Sequence, residues 1–104
     1  MRRVLITGSR KWTDIKTLYG ALTDEWMEYG DFILIHGDAP GADTMGHQWA
    51  MWSTIIQHFN VSIEVFPADW KTHGKAAGPI RNQMMVDSGA DVCLAFPRDD
   101  SRGT

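Results

Sequence analysis

The chain predicts an α/β fold, a parallel sheet of about four strands in the order 3-2-1-4 with helices on both faces. Three observations carry this. Four short apolar, β-branched runs alternate with segments of helical periodicity. Three of the runs, at residues 4–7, 32–35 and 91–96, are almost continuously apolar, as strands covered on both faces are. Alternation of this kind joins parallel strands through right-handed crossovers, which a doubly wound sheet accommodates in that order. The first and second helices then cover one face and the third covers the other.

Val4-Leu5-Ile6-Thr7 is the first buried strand, broken at Gly8-Ser9-Arg10. Thr13 or Asp14 supplies an N-cap. Ile15, Leu18, Tyr19, Leu22 and Trp26 recur at helical spacing, so a helix over residues 14–29 follows, with Gly30 as its stop. Residues 32–35 form the second strand, and His36 to Gly41 is a turn dense in breakers. The second helix opens at Ala42 or Asp43, carries Met45, Trp49, Trp52, Ile56 and Phe59, and ends at Asn60. It is apolar around more than half its surface, more than one core face requires. Residues 61–66 alternate, Val61, Ile63 and Val65 against Ser62 and Glu64, which predicts a half-exposed edge strand. A third helix spans residues 79–88, with Pro79 in its first turn, where an N–H has no partner to lose, and Gly89 as its stop. Residues 91–96 are the fourth strand.

Composition bounds the function. The 104 residues suffice for one small domain with one core. Hydrophobic residues make up 43% and charged ones 22%, a globular balance. The net charge of −3 disfavours nucleic acid as a partner and gives no anionic-membrane surface. Apolar runs are too short for a membrane span or a signal peptide, and the single Cys93, expected as inert core filler, permits no intrachain disulfide. A cytoplasmic protein is expected. No cofactor is expected. No metal site is expected either, because the histidines and carboxylates have no ligand spacing and there is no second cysteine.

The polar chemistry gathers in the connection after the third strand, from Ala68 to Asn82. At about a dozen residues it is longer than such loops usually run. Arg81 lies in the first turn of the helix that follows, where the dipole disfavours cations unless an anion shares the site. In the expected sheet, four loops meet at the carboxyl ends of the strands. They carry Gly8, Ser9 and Arg10; His36, Gly37 and Asp38; Asp69 through Asn82; and Ser101, Gly103 and Thr104. Only one helix covers the second face, so a partner subunit or a further helix and strand is expected there.

These blocks resemble a known family. The residues are Leu5-Ile6-Thr7-Gly8-Ser9-Arg10-x-Trp12-x-Asp14, His36-Gly37-x-x-x-Gly41-Ala42-Asp43, Pro67-Ala68-Asp69-Trp70, His73-Gly74-Lys75-Ala76-Ala77-Gly78-Pro79-x-Arg81-Asn82, Gly89-Ala90-Asp91 and Ser101-x-Gly103-Thr104. They look like the YspA-like (DUF2493) family of the SLOG superfamily, found in bacteria and phages. That superfamily also includes LOG-type phosphoribohydrolases and DprA proteins. The resemblance implies a Rossmann-like fold and a pocket for a nucleotide or nucleotide-derived ligand. It also implies a further helix and strand beyond the Ser-x-Gly-Thr block, so a shortened member is expected. The LOG-type Pro-Gly-Gly-x-Gly-Thr-x-x-Glu motif is not matched from Pro97 to Thr104.

On this reading Gly8, Ser9, Gly78, Gly103 and Thr104 offer backbone N–H groups to phosphate, with Ser101 in the same wall, and Arg10 and Arg81 pair with its oxygens. Trp70 or Trp12 stacks on a base, with Trp12 favoured as a lid over the first loop. Asp43, Asp69 and His73 are the catalytic candidates, with Asp43 favoured as an N-cap. His36, Gly37 and Asn82 complete the ligand-binding set, Asn82 as an orienting residue. His47 and His58 are read as surface residues. The leading function is a binding or sensing module for a nucleotide-like small molecule. One alternative is a hydrolase cleaving an N-glycosidic or phosphate bond in such a ligand. Another is a phage or bacterial interaction protein acting through a Trp-rich surface. A homo-oligomer is expected, since the second sheet face is under-covered, and the Met and Trp stripe on the second helix is read as core or subunit interface rather than a cofactor box.

Overall fold

The structure is a computed structural model and describes residues 1–97. Ser101, Gly103 and Thr104 lie outside the described residues. The elements run β1 (Arg2–Gly8), α1 (Ile15–Tyr29), β2 (Phe32–His36), α2 (Ala42–Ile56), β3 (Val61–Val65), α3 (Trp70–His73), a 3-10 turn (Gly74–Ala76), α4 (Ala77–Asp87) and β4 (Val92–Phe96). All strand pairs are parallel and the sheet order is β3-β2-β1-β4, a Rossmann-like α/β arrangement as the alternation predicts. The order reverses between β1 and β4, whose pairing runs from Val4 opposite Val92 to Gly8 opposite Phe96. In sheets of this kind ligands bind beyond the carboxyl ends of the strands at such a reversal.

Side chains along β1 and β2 alternate between two cores. Val4, Ile6, Phe32, Leu34 and Val61 face α1 and α2 and pack against Leu18, Leu22, Trp49 and Ala50. Each fully buried side chain of this size contributes about 1.5–3 kcal/mol. Trp49 stacks on Phe32 with ring centroids 5.8 Å apart. On the opposite face, Leu5 and Ile35 pack against Met85 of α4, flanked by Ile33 and Phe66. The helix boundaries follow local chemistry. Asp14 caps α1 by accepting the Thr17 N–H at 3.1 Å. Gly30 and Gly89 take φ of 81° and 85°, the left-handed stops that their positions predict.

Four expectations are corrected. α2 ends at Ile56, not at Asn60. His58 turns to φ 61°, and the Phe59 amide returns to Ser53 O, so the chain reverses early enough for β3 to begin at Val61. Phe59 instead stacks flat on Trp26, with centroids 3.7 Å apart. The long connection is not irregular: it folds into α3 and the 3-10 turn, and α4 starts at Ala77, two residues before Pro79. Asp69 caps α3 through Thr72, so the turn has its own local stabilisation. Cys93 is exposed rather than core. It points to the second face at the β4 edge, whereas α4 covers the β1 and β2 side of that face. Thr7 and Ala95 are exposed there too.

Candidate functional site

The carboxyl ends of β1 and β2 are drawn together by two glycines. A Cβ on Gly8 would stand 2.7 Å from Phe96 O and 2.8 Å from the Ala42 Cβ, so only glycine admits the start of α2 this close to β1. Gly41, at φ 80°, presses its backbone against Ser9 and Arg10. Ser9 then ties the ends of β1 and β4 to the start of α2. Its N–H donates to Phe96 O at 3.0 Å, and its carbonyl accepts from Trp12 N and Ala42 N, both at 3.2 Å. The expectation that the Ser9 amide faces a phosphate is thus corrected, because β4 already uses it. Trp12 packs edge-on against Phe96 at 5.5 Å, the lid expected over the first loop.

The turn after β2 is held by a buried carboxylate. Asp43 Oδ2 accepts the N–H groups of Gly37 at 3.0 Å and Ala39 at 3.3 Å. Asp43 is therefore not the cap of α2. Gly41 is the N-cap and has no side-chain cap bond, while Asp43 reaches back into the preceding turn. Burial pushes the Asp43 carboxyl above its usual value, and the two amides, His36 and Arg81 partly oppose that. His36 is buried at 1% exposure. The Asp38 N–H donates to its Nδ1 at 2.9 Å, so that nitrogen carries no proton. The neutral ring then holds its proton on Nε2 and donates it to His47 Nδ1, 2.8 Å away. Burial lowers the His36 pKa, with Asp43 opposing, which keeps the ring neutral. His47 was read from the sequence as a surface residue. It is half-buried, and the missed signal is its spacing: four residues after Asp43, it shares that face of α2.

Arg81 enters this turn from the other side of the sheet. It is 9% exposed, and its Nη1 donates to Gly37 O while Nε donates to Asn82 Oδ1 at 2.8 Å. Both acceptors are neutral. The described residues hold ion pairs at Arg2–Glu25 and Arg3–Glu64, and Arg81 belongs to neither. Its Nη2 makes no hydrogen bond among the described residues and lies 3.8 Å from where a Gly78 Cβ would stand. The Trp70 ring would be 3.4 Å from that same Cβ. The Arg10 guanidinium lies 5.5 Å from the Trp70 ring centroid, and Arg10 and Trp70 are both exposed. The structure thus gathers Arg10, His36, Gly37, Asp43, Trp70, Gly78, Arg81 and Asn82 around the end of β2.

Asp69 and His73 sit on the far flank of Arg81. With Pro67, Ala77, Ile80 and Met84 they line a hollow of about 250 Å³. The Thr72 hydroxyl and amide hold the Asp69 carboxyl below its usual value, so it is a carboxylate. Among the described residues no group of three or more His, Cys, Asp or Glu is placed to hold a metal ion. Nor is any described helix long and apolar enough to cross a membrane.

Comparison with known proteins places the chain in a family. A family model, described as YAcAr, the YspA, cpYpsA-related SLOG family, matches residues 2–73. The chain is 53% identical over 106 residues to "Gene 61 protein" of Mycobacterium phage D29, an alignment covering 100% of this chain and 83% of the relative. No solved structure gives a significant match. The match spans β1 through α3, including the Gly8 contact, the Asp43 turn and Asp69, and the chain belongs to the YspA-related SLOG family.

Proposed function

We propose that this protein is a binding module for a phosphate-bearing, nucleotide-like small molecule, held at the carboxyl ends of the parallel strands. Membership of the SLOG family supports a nucleotide-related role. One observation carries the rest: Arg81, in the second turn of α4, is buried and hydrogen-bonded to neutral acceptors, and the Asp43 carboxyl is the acidic group that senses its charge. A buried guanidinium with no ion pair in direct contact is costly, and an anion bound against it lowers that cost. Arg10 supplies a second cation, and the exposed Trp70 ring beside it offers a face on which a base can stack.

The test is calorimetric titration with nucleotides, NAD, ADP-ribose and cyclic dinucleotides, each followed by chromatography for products. Binding without turnover is expected. Arg81→Ala weakens it by about 1.5–3 kcal/mol, the scale of a charged hydrogen bond. Arg10→Ala, at an exposed position, leaves the fold intact and weakens the same ligands by about 1 kcal/mol. Absence of binding at millimolar concentration, or unchanged affinity in Arg81→Ala, overturns the reading. Products would favour the hydrolase reading, which draws support from Asp43. Burial raises its pKa in the direction a general acid needs, and its Oδ1 is not among the atoms bonded to the turn.

A further inference from the structure

The outward side of α2 is apolar where a solvent-facing helix is ordinarily polar. Ile55 and Ile56 are 65% and 60% exposed, and Met51 and Trp52 nearly half exposed. These four cluster at helical spacing in the last turns of α2. The core of the same helix is already complete, with Trp49, Ala50 and Ser53 buried beneath. Beside the cluster runs a groove of about 280 Å³ between α2 and β3, lined by Ala50, Met51, Thr54, Ile55, Val61 and Ile63. Protruding apolar side chains and an apolar groove thus lie next to each other on one helix. β3 is an edge strand of the sheet.

We infer that α2 is the interface of a two-fold homodimer, with Met51, Trp52, Ile55 and Ile56 of each copy packing onto the same helix and groove of the other. Charge selects a second copy over a different partner. Across a two-fold axis each patch meets itself, so any charge it carries faces its own sign. The chain has a net charge of −3, yet residues 44–63 contain no Asp, Glu, Lys or Arg. The one charged residue of α2, Asp43, is buried at the opposite end of the helix. α1 differs: its exposed Met27 stands between Asp24 and Glu28, and its exposed Tyr29 lies under the Arg2 guanidinium at 3.7 Å. A partner of another sequence is ordinarily selected by complementary charge, and this face offers none. The apolar, charge-free character is that of homodimer interfaces. The knob-and-groove pair also makes the surface self-complementary, as an isologous contact requires.

Sedimentation equilibrium of the full chain tests this across micromolar to millimolar concentration. The expected species has twice the 11.7 kDa mass of one chain. Ile55→Lys puts like charges into the interface and weakens association by about 30-fold or more, while Met27→Lys on α1 leaves it unchanged. Ile55→Glu is likewise monomeric alone, and mixing it with Ile55→Lys restores a dimer. Circular dichroism checks that the fold persists. Should Ile55→Lys fail to fold, Ile55→Ser gives the same reading with a smaller loss. A wild-type monomer at every concentration overturns the inference, also where that monomer adheres to lipid vesicles or a different protein. A dimer that persists in Ile55→Lys overturns it as well, by placing the contact elsewhere.

Discussion

Two regions of this molecule reverse the usual placement of polar and apolar groups, and they do so differently. Around the end of β2, His36, Asp43 and Arg81 are buried. On α2, twelve or so residues further along the chain from Asp43, Ile55 and Ile56 are exposed. The buried polar groups are bonded within the chain: Asp43 to two amides, His36 to Asp38 and His47, Arg81 to Gly37 and Asn82. Bonding of that kind offsets desolvation and holds the turn in one geometry. What has no direct ion pair there is the charge on Arg81, whose hydrogen bonds go to neutral acceptors while Asp43 senses it from nearby. The exposed apolar groups have no covering surface among the described residues, so what remains uncompensated on α2 is area. The first deficit suits a small anion and the second an apolar surface, which is why ligand and subunit contact are assigned to separate places.

The sharpest way to break this comparison uses two tryptophans three residues apart on α2. Trp49 is buried, stacks on Phe32 and donates to Thr23 Oγ1 at 3.2 Å. Trp49→Ala is expected to cost about 3–5 kcal/mol in urea-unfolding stability, the range for a deleted core aromatic. Next in size is the β2 turn. Asp43→Ala leaves the Gly37 and Ala39 amides without an acceptor and should cost about 2–3 kcal/mol, read by the same unfolding curves. Asp43→Asn keeps an acceptor oxygen and removes the buried charge, so a loss under about 1 kcal/mol separates the role of the bonds from that of the charge.

A smaller effect is expected from pH. The folded-state pKa of His36 lies below its usual value near 6.5. The unfolded chain therefore binds a proton more readily than the native one. The His36 contribution is fully present above about pH 6.5 and is lost as pH falls toward the folded value. Asp43 acts oppositely and lower down. Its raised pKa means that stability declines as pH rises from 3.8 through the folded value. His36→Gln should remove the slope just below pH 6.5 in a pH series of melting temperatures, and an unchanged slope would assign it to another group. The smallest effect belongs to Trp52→Ala. Measured at a dilution where the chain is monomeric, its unfolding stability should change by no more than about 0.5 kcal/mol. A loss near that of Trp49→Ala would show that Trp52 completes the core rather than an interface.

Much of the scaffold was legible because it depends on periodicity. The buried runs at Val4 and Phe32, the apolar strand from Val92, the helical spacing from Ile15 to Trp26 and the stops at Gly30 and Gly89 all report local preferences that tertiary packing then reinforces. The loops were less legible. Residues 70–73 contain no apolar repeat, so their single turn depends on the Asp69 cap, a bond that spacing alone does not distinguish from an ordinary loop contact. Cys93 sits in an apolar run, and nothing local says that α4 covers the sheet away from β4.

The sequence by itself determined the parallel order of the sheet, the placement of its strands to within a residue or two and the excess of apolar surface on α2, because each follows from alternation, glycine stereochemistry or composition. Only the tertiary structure decided what those residues do to each other. It turned Asp43 from the expected cap of α2 into the anchor of the β2 turn, gave the Ser9 amide to β4, and joined His47 to His36. It also buried Arg81 against neutral acceptors. Burial and hydrogen-bond choice are long-range outcomes: Arg81 meets Gly37 across 44 residues of chain. Which donor finds which acceptor is settled when strands, helices and turns close around the same point.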